Sequence, residues 1–563
     1  MYCKYTVEIP RDHVVRVKSK GATYIYFEYA RTYDQEKKFN SAKRQCIGKQ
    51  SQEDCNLMYP NEHFTMHFPG SEKPEEQEEA KRSCSLQIGT FIVIGKLAES
   101  LGIKEILSGF LNEAFTGLFL DFATYSIITE GNVAQYFSDY SYHHPLFSKD
   151  MKIYSDSTVS RFLKEMPEEA KTSFLDKWNE RQDHRKRIYI SYDSTNKNSQ
   201  AGDLNIVEYG HPKDDKGLPI FGYSIAYDST NSIPLFYEQY PGSIVDMSQL
   251  EFMLSKAGSY GFKGATFILD RGYFCKSNIR GLESKSYHFI MMIKGMKPLV
   301  HEVIDANRGR FESSRDCYIR SYETYGTTEP RKLYADDEKE RYIHVYHSVA
   351  RAAAERLELE RELNKMAEAL DKTKNIKYDF PLSYHHYFDL IFSKDGKLMT
   401  YTENSKAVEE ELSYCGYFCI VTSEKMTAKE ALAIYKSRDE NEKLFRADKS
   451  FLGNGSMRVH SEESTESKIL IEFAALIIRC KFFTCLKDTF NSSASKPNYA
   501  TVPAAIRELE KIEMARNYDG IYRLDHAVTR RQKDILKCFG LDADQVKEIS
   551  RIISKQLSAT EAR

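Results

Sequence analysis

The chain has 563 residues, of which 41% are hydrophobic and 29% charged. This composition excludes wholesale disorder, and the length predicts about three to five structural units. Its 80 Lys and Arg residues against 82 Asp and Glu residues give a net charge of −2, which excludes a globally basic nucleic-acid binder. Any contact with nucleic acid must come from local basic patches.

The cysteines and the apolar runs limit the compartment. The eleven cysteines form no C-x-x-C pair and are irregularly spaced, which predicts neither a disulfide framework nor a zinc module. The first residues lack the apolar segment of a signal peptide. Charges such as Glu472 interrupt the longest apolar runs before they reach the roughly 18 residues of a membrane span. We expect a reduced, cytoplasmic location without membrane contact.

The first two regions differ in their periodicity. Residues 1–85 alternate short β-like runs with charged loops, which predicts an N-terminal β-rich region. Residues 86–180 show helical patterns and form a candidate DNA-binding region. Simple helix packing is an equally good interpretation of that region from the sequence alone.

Strand patterns begin near residue 187. Within residues 181–296 we predict three strands, a helix, a strand, a second helix and a last strand. This is the order of the first part of a ribonuclease-H-like core, which still requires a final helix. We therefore predict an α/β fold whose core is a mixed five-stranded sheet with flanking helices.

The final helix is expected late in the chain. Residues 297–426 hold several β-like runs and one charged helix, which predicts a β-rich insertion domain that interrupts the core. Residues 427–490 then return to the core, beginning with one long helix whose start is marked by Thr427 and Glu430 as a capping box. Residues 491–563 form a helical C-terminal region, a candidate for dimerisation or DNA contact.

Two aspartates follow strand-like runs of the core. Asp193 ends "RIYISYD", and Asp270 ends "ATFILD". Taken alone, each is usually a strand cap or a turn residue. In the ribonuclease-H-like order the first and fourth strands are neighbours, so the two carboxylates would repel each other. A divalent cation would remove that repulsion and use both side chains as ligands.

Four polar residues share one face of the predicted long helix. At about 100° per residue, Tyr435, Arg438, Glu442 and Lys449 fall within a stripe roughly 60° wide. A solvated, salt-bridged helix face explains this stripe equally well when it is taken alone. Together with two strand-end aspartates in the right order, the stripe indicates a functional site.

These residues carry a resemblance to a known family. The segment "YKSRDENEKLFRADK" matches the signature Y-x2-R-x3-E-x6-K at all four positions, and "YISYDSTN" and "ATFILDRGYF" resemble the strands that carry the family's two aspartates. The chain therefore resembles the DDE transposases of bacterial insertion sequences, in the branch with this signature. The resemblance covers about residues 181–485.

The resemblance implies an enzyme that cleaves the ends of a mobile element and joins them to target DNA. Asp193, Asp270 and Glu442 would be its catalytic residues and would hold two Mg²⁺ ions, with Mn²⁺ as a substitute. One ion would activate a water or a 3′-hydroxyl, and the other would stabilise the leaving 3′-oxygen. The residues implied to contact DNA are Tyr435, Arg438, Lys449 and Arg271.

The implied partners are double-stranded DNA, as terminal inverted repeats and as target, and a second copy of the chain in a synaptic dimer. The implied location is the bacterial cytoplasm, in association with the nucleoid. Two alternatives stay open: a non-catalytic DNA-binding protein derived from a transposase, and a simple metal-dependent nuclease on the same core. The three carboxylates favour an active enzyme, and the Tyr-Arg-Glu-Lys stripe argues against a simple nuclease.

Overall fold

The structure is a computed structural model. It describes the whole chain except residues 1, 3–4, 20, 35–37, 52–53, 70–81, 185–186, 200–203, 211–216, 245, 454, 491–496, 518–519 and 562–563. At 34, 246–247, 440–442 and 559–561 it describes the backbone but not the side chain. The chain forms two compact units, residues 1–82 and 83–563.

The first unit is built on an antiparallel sheet with the strand order β1-β5-β4-β3-β2. Its elements are β1 (Val7–Glu8), β2 (Val14–Ser19), β3 (Ala22–Asp34), β4 (Phe39–Gln50), β5 (Leu57–Pro60) and α1 (Glu62–His67). The side chain of Asn61 caps α1 by accepting from the backbone N–H groups of His63 and Phe64, as expected of an N-cap. Phe64 then packs with Ile25 and Ile47 in a small apolar core.

The second unit begins with a helical layer. Its elements are β6 (Ser85–Gln87), α2 (Gly89–Ser100), α3 (Ile103–Ser108), α4 (Glu113–Thr129), α5 (Phe137–His143), α6 (Asp156–Glu165) and α7 (Ala170–Glu180). Helix α4 is buried along most of its length, which explains why it is apolar on nearly all sides. Its buried Asp121 accepts hydrogen bonds from the backbone N–H groups of Phe147 and Ser148.

A large mixed sheet follows the helical layer. Its first elements are β7 (Tyr189–Asn198), β8 (Ile220–Asp228), β9 (Ile233–Pro241), α8 (Asp246–Ser259), β10 (Thr266–Leu269), α9 (Lys276–Ser284) and β11 (His288–Met292). Strands β7, β8 and β9 form an antiparallel meander. Strand β10 pairs in parallel with β7, and β11 pairs in parallel with β10. The resulting order, β9-β8-β7-β10-β11, makes the two aspartate-bearing segments neighbours.

The following segment extends this sheet. Its elements are α10 (Lys297–Asn307), β12 (Tyr318–Ile319), β13 (Thr324–Arg331), β14 (Arg341–His347), α11 (Val349–Lys372), α12 (Leu382–Tyr387), β15 (Phe388–Phe392), β16 (Leu398–Glu403), α13 (Ser405–Ser413) and β17 (Tyr417–Thr422). Strand β17 pairs with β11, and β14, β13 and β12 continue outward, whereas β15 and β16 form a separate hairpin. The predicted five-stranded sheet is therefore nine-stranded within the described residues, because β17 covers the edge that β11 would otherwise expose.

Helices complete the second unit. The remaining elements are α14 (Ala428–Lys436), α15 (Asp439–Arg446), α16 (Glu462–Phe490), α17 (Val502–Leu509), β18 (Glu513–Arg516), β19 (Tyr522–Leu524), α18 (Arg530–Lys537) and α19 (Ala543–Glu561). Strands β18 and β19 form a hairpin that pairs with β6. The helical prediction for residues 491–563 omitted this hairpin. Its signal is the turn around Gly520 between "KIEMAR" and "IYRL".

Helix α16 joins the helical layer to the sheet. It packs against α4, α6 and β9, and it is buried almost continuously from Ser467 to Arg479. This buried stretch nevertheless contains the charged residues Lys468, Glu472 and Arg479. Across the described part of the chain, no helix has the length and the apolar character required to cross a membrane.

His344 makes the stability of the sheet sensitive to pH. It is fully buried on β14, and its ring nitrogens lie 2.8 Å and 3.0 Å from the hydroxyls of Thr328 and Thr422. Burial lowers the pKa of His344 to about 4, because desolvation disfavours the imidazolium. In the unfolded chain, the pKa of a histidine is about 6.5. The stabilisation that comes from burying neutral His344 is therefore complete above this pH and is lost as the pH falls towards 4.

The free energy of unfolding should therefore fall more steeply between pH 7 and pH 4 in the wild type than in a His344→Gln variant. The expected difference between the two is roughly 3 kcal/mol over this window, measured by urea denaturation at both pH values. Equal pH dependence of the two proteins would contradict the buried neutral histidine.

Candidate active site

Asp193 and Asp270 lie side by side on neighbouring strands. Tyr192 of β7 and Leu269 of β10 are the last positions that pair in parallel. Asp193 directly follows Tyr192, and Asp270 directly follows Leu269. At a strand spacing of about 4.8 Å, the two positions are level with each other and share a face of the sheet. The sequence had suggested that Asp193 ends its strand. In the structure β7 continues to Asn198, where it still pairs with β8.

The two carboxylates have different surroundings. Asp193 is half-buried, and its Oδ1 accepts a hydrogen bond of 2.8 Å from the backbone N–H of Ser194. The Asp270 side chain is 38% exposed, and its carbonyl accepts from the N–H of Tyr273 across a short 3₁₀ turn. The Asp193 carboxylate is thus hydrogen-bonded to its own backbone, and the Asp270 carboxylate is the more exposed of the two.

Arg438 approaches Asp270 from the helix side. Its Nη1 lies 3.2 Å from Asp270 Oδ1, and its guanidinium carbon lies 5.7 Å from the centre of the Tyr435 ring. Arg271 is exposed beside Asp270. Three of the residues implied to contact DNA are thus placed next to the second aspartate.

Tyr435 is a buried phenol. Burial raises the pKa of its hydroxyl to about 12, and the charge of Asp270 acts in the same direction, whereas Arg438 opposes it. A phenol with this pKa remains protonated at neutral pH, so the group can donate a hydrogen bond but is poorly suited to act as a nucleophile.

The predicted single long helix is interrupted. Helix α14 ends at Lys436 and α15 begins at Asp439, while Ser437 and Arg438 keep right-handed helical dihedral angles. The Ser437 hydroxyl donates a 2.6 Å hydrogen bond to the Ile434 carbonyl, which competes with the regular helical pattern. A π-helical segment, Ala447–Phe451, follows α15.

The stripe was calculated for one continuous α-helix, whereas the structure distributes its four residues over α14, the turn after it, α15 and the π-helical segment. Tyr435 lies in α14, Arg438 lies in the turn, and Lys449 is half-buried in the π-helical segment. The backbone of Glu442 lies in α15, which packs against β7, but the Glu442 side chain lies outside the described residues. Among the side chains that are described, no three His, Cys, Asp or Glu residues form a metal-binding cluster.

A buried ionic cluster near this site was not predicted from the sequence. Lys197 Nζ lies 2.6 Å from Asp448 Oδ2 and 3.5 Å from Glu472 Oε2, and none of these side chains is more than 2% exposed. Asn132 donates a 3.1 Å hydrogen bond to Glu472. The sequence contained two signals of this cluster: Lys197 inside a core strand, and Glu472 inside the apolar run "ILIEFAALII". Both indicate a buried ion pair, because buried charges require partners.

Comparison with known proteins identifies the family. The model of the transposase DDE domain matches residues 189–478, just over half of the chain. The chain therefore belongs to the DDE transposase family. No curated protein sequence shows significant similarity to it.

One solved structure that resembles the chain is a piggyBac transposase in a synaptic complex with hairpin DNA. The two chains share 9% sequence identity over 84% of each chain, with a TM-score of 0.33. A likeness at this level supports no conclusion about the fold or the function of the chain.

The capping box at the start of α14 is confirmed and can be tested. Thr427 Oγ1 accepts from the N–H of Glu430, and the Glu430 carboxylate accepts from the N–H of Thr427. A Thr427→Ala substitution should lower the free energy of unfolding by about 1 kcal/mol, as measured by urea denaturation. Thr427→Ser keeps the acceptor and serves as the control; equal stability of the Ala and Ser variants would contradict a stabilising cap.

Proposed function

We propose that the chain is the transposase of a bacterial insertion sequence, in the branch with the Y-x2-R-x3-E-x6-K signature. It would cleave DNA at the element ends and join these ends to target DNA. The observation that carries this proposal is the position of Asp193 and Asp270 next to each other on adjacent strands. Arg438, which directly precedes α15, forms an ion pair with Asp270. The strand order β9-β8-β7-β10-β11, followed by core helices, supports a ribonuclease-H-like core formed by residues 181–296 and 427–490, with residues 297–426 as its insertion.

The proposed metal ligands are Asp193, Asp270 and Glu442. Adjacent carboxylates repel each other, and their hard oxygen donors suit Mg²⁺, or Mn²⁺ in its place. Glu442 follows Arg438 by one helical turn, and residues four apart share a helix face, so the contact of Arg438 with Asp270 supports Glu442 at the same end of the sheet. When bound, a pair of ions would activate the attacking oxygen and stabilise the leaving oxygen.

The surrounding cations would bind the DNA backbone. Arg438 can bind a phosphate through two hydrogen bonds. Lys449 and Arg271 can attract DNA phosphates through their positive charges. Tyr435 would donate a hydrogen bond and would form no covalent link to DNA. The helical region 86–180 and the C-terminal region 491–563 are the proposed sites of further DNA contact and of dimerisation at paired element ends, in the nucleoid of a bacterial cell.

A Glu442→Gln variant tests the enzymatic assignment. It should abolish Mg²⁺-dependent strand cleavage and leave the binding of element-end DNA nearly intact, because the amide keeps the shape but is a weaker ligand than a carboxylate. Denaturing gels and gel-shift titrations measure the two effects, with the exposed Asp439→Asn of the same helix as the control. A Glu442→Gln variant that cleaves normally would refute the assignment, and a wild type that binds ends without cleaving them would favour the non-catalytic alternative.

A Lys449→Ala variant tests the phosphate contact. It should weaken end binding and reduce the slope of log K against log salt by about 1, since one fewer counterion is released. Lys429→Ala, an exposed lysine on α14, should leave the slope unchanged. A slope in Lys449→Ala equal to that of the wild type would count against this contact.

A Tyr435→Phe variant tests the mode of cleavage. Direct attack by water or a 3′-hydroxyl does not need the phenol oxygen, so the cleavage rate should fall by no more than about tenfold, the cost of one hydrogen bond. Single-turnover rates measure this effect. Complete loss of cleavage, together with a covalent protein–DNA adduct in the wild type, would overturn the mechanism.

A further inference from the structure

The buried cluster connects the two parts of the site that carry its carboxylates. Lys197 follows Asp193 by four residues on β7, so the two side chains lie on the same face of the strand, about 13 Å apart along it. Asp448 follows Glu442 by six residues, in the π-helical segment that continues α15. The ion pair between Lys197 and Asp448 therefore joins the strand of the first aspartate to the helical segment of the glutamate.

Backbone contacts reinforce the same junction. The N–H of Asn198 donates to the Gly455 carbonyl, and the N–H of Met457 donates to the Asn198 carbonyl, both at 3.2 Å. Lys468 of α16 in turn donates to the Met457 carbonyl at 2.5 Å. The chain that leaves the π-helical segment is thus held against the end of β7, and the ion pair lies just before this attachment.

The energetics of the pair point to a role other than stability. Removing two charges from water costs several kcal/mol per ion, and apolar side chains of similar size are often equally stable. Burial raises the pKa of Glu472 to about 7, although the charge of Lys197 opposes this shift. A π-helical turn is itself uncommon and is frequently found at functional sites. The best-attested use of such a buried pair is to fix one register of packing.

We propose that Lys197 and Asp448 are positioning residues that hold α15 at the register on β7 in which Glu442 shares metal ions with Asp193 and Asp270. This inference rests on the proposed function. Both residues are too far along their elements to be metal ligands themselves, so their effect would pass through the placement of Glu442.

The test compares two apolar replacements of buried ion pairs. Lys197→Met with Asp448→Leu removes the pair while keeping its volume, and Glu472 can then take up a proton. The control is Arg341→Met with Asp337→Leu, which removes another buried ion pair of the same unit, on β14 and the loop before it, in a network that also includes Glu283 and Arg280. Urea denaturation measures folding, Mn²⁺ titration followed by electron paramagnetic resonance measures metal affinity, and strand cleavage measures activity.

The Lys197/Asp448 double variant should unfold at a denaturant concentration close to that of the wild type. It should nevertheless bind Mn²⁺ at least about tenfold more weakly and need correspondingly more metal for cleavage, whereas the control pair should keep wild-type metal affinity. Should the double variant not fold, Asp448→Leu alone removes the contact with Lys197, leaves Glu472 to compensate the lysine, and should show the same loss of metal affinity.

Two outcomes would overturn the inference. The inference alone would be overturned if a folded Lys197/Asp448 double variant, or a folded Asp448→Leu variant, kept wild-type Mn²⁺ affinity while the Glu442→Gln variant was inactive. A wild type that neither binds Mn²⁺ nor cleaves DNA would overturn the proposed function together with the inference.

Discussion

The parallel pairing of β7 with β10 is the constraint on which the site depends. It brings Asp193 and Asp270, distant in the chain, to the same level of one sheet. Because side chains alternate between the faces of a strand, a slip of one residue would move one carboxylate to the opposite face. The strands resist such a slip because they are buried on both faces: every residue of β10 is buried, as are the successive residues Ile190, Ser191 and Tyr192 of β7.

Helix α15 is attached to this pair of strands at both of its ends. Arg438, at its start, forms an ion pair with Asp270, and Asp448, just after its end, forms a buried ion pair with Lys197 on β7. The break before α15 and the π-helical segment after it are therefore the places where the helix meets the sheet. In one continuous α-helix, a single rotation about the helix axis would have had to place both Arg438 against Asp270 and Asp448 against Lys197.

The local signals of the sequence predicted the strands and the capping box at Thr427, because each depends on residues close together in the chain. The adjacency of the two aspartate-bearing strands was inferred instead from the order of strands and helices along the core. The extension of the sheet by β17 could not be predicted in this way, since it depends on a pairing with β11 across a long insertion. The Lys197–Asp448 pair was missed for a similar reason, because it joins segments that sequence periodicity treats separately. The helix break at Ser437 was missed because the polar periodicity continues through it.

The most direct measurement is the anomalous scattering of Mn²⁺ in crystals of the protein bound to element-end DNA. We predict manganese held by carboxylate oxygens of Asp193, Asp270 and Glu442, at distances of about 2.1 Å, with a DNA phosphate beside it. Manganese bound elsewhere, with these three carboxylates too far apart to share an ion, would contradict it.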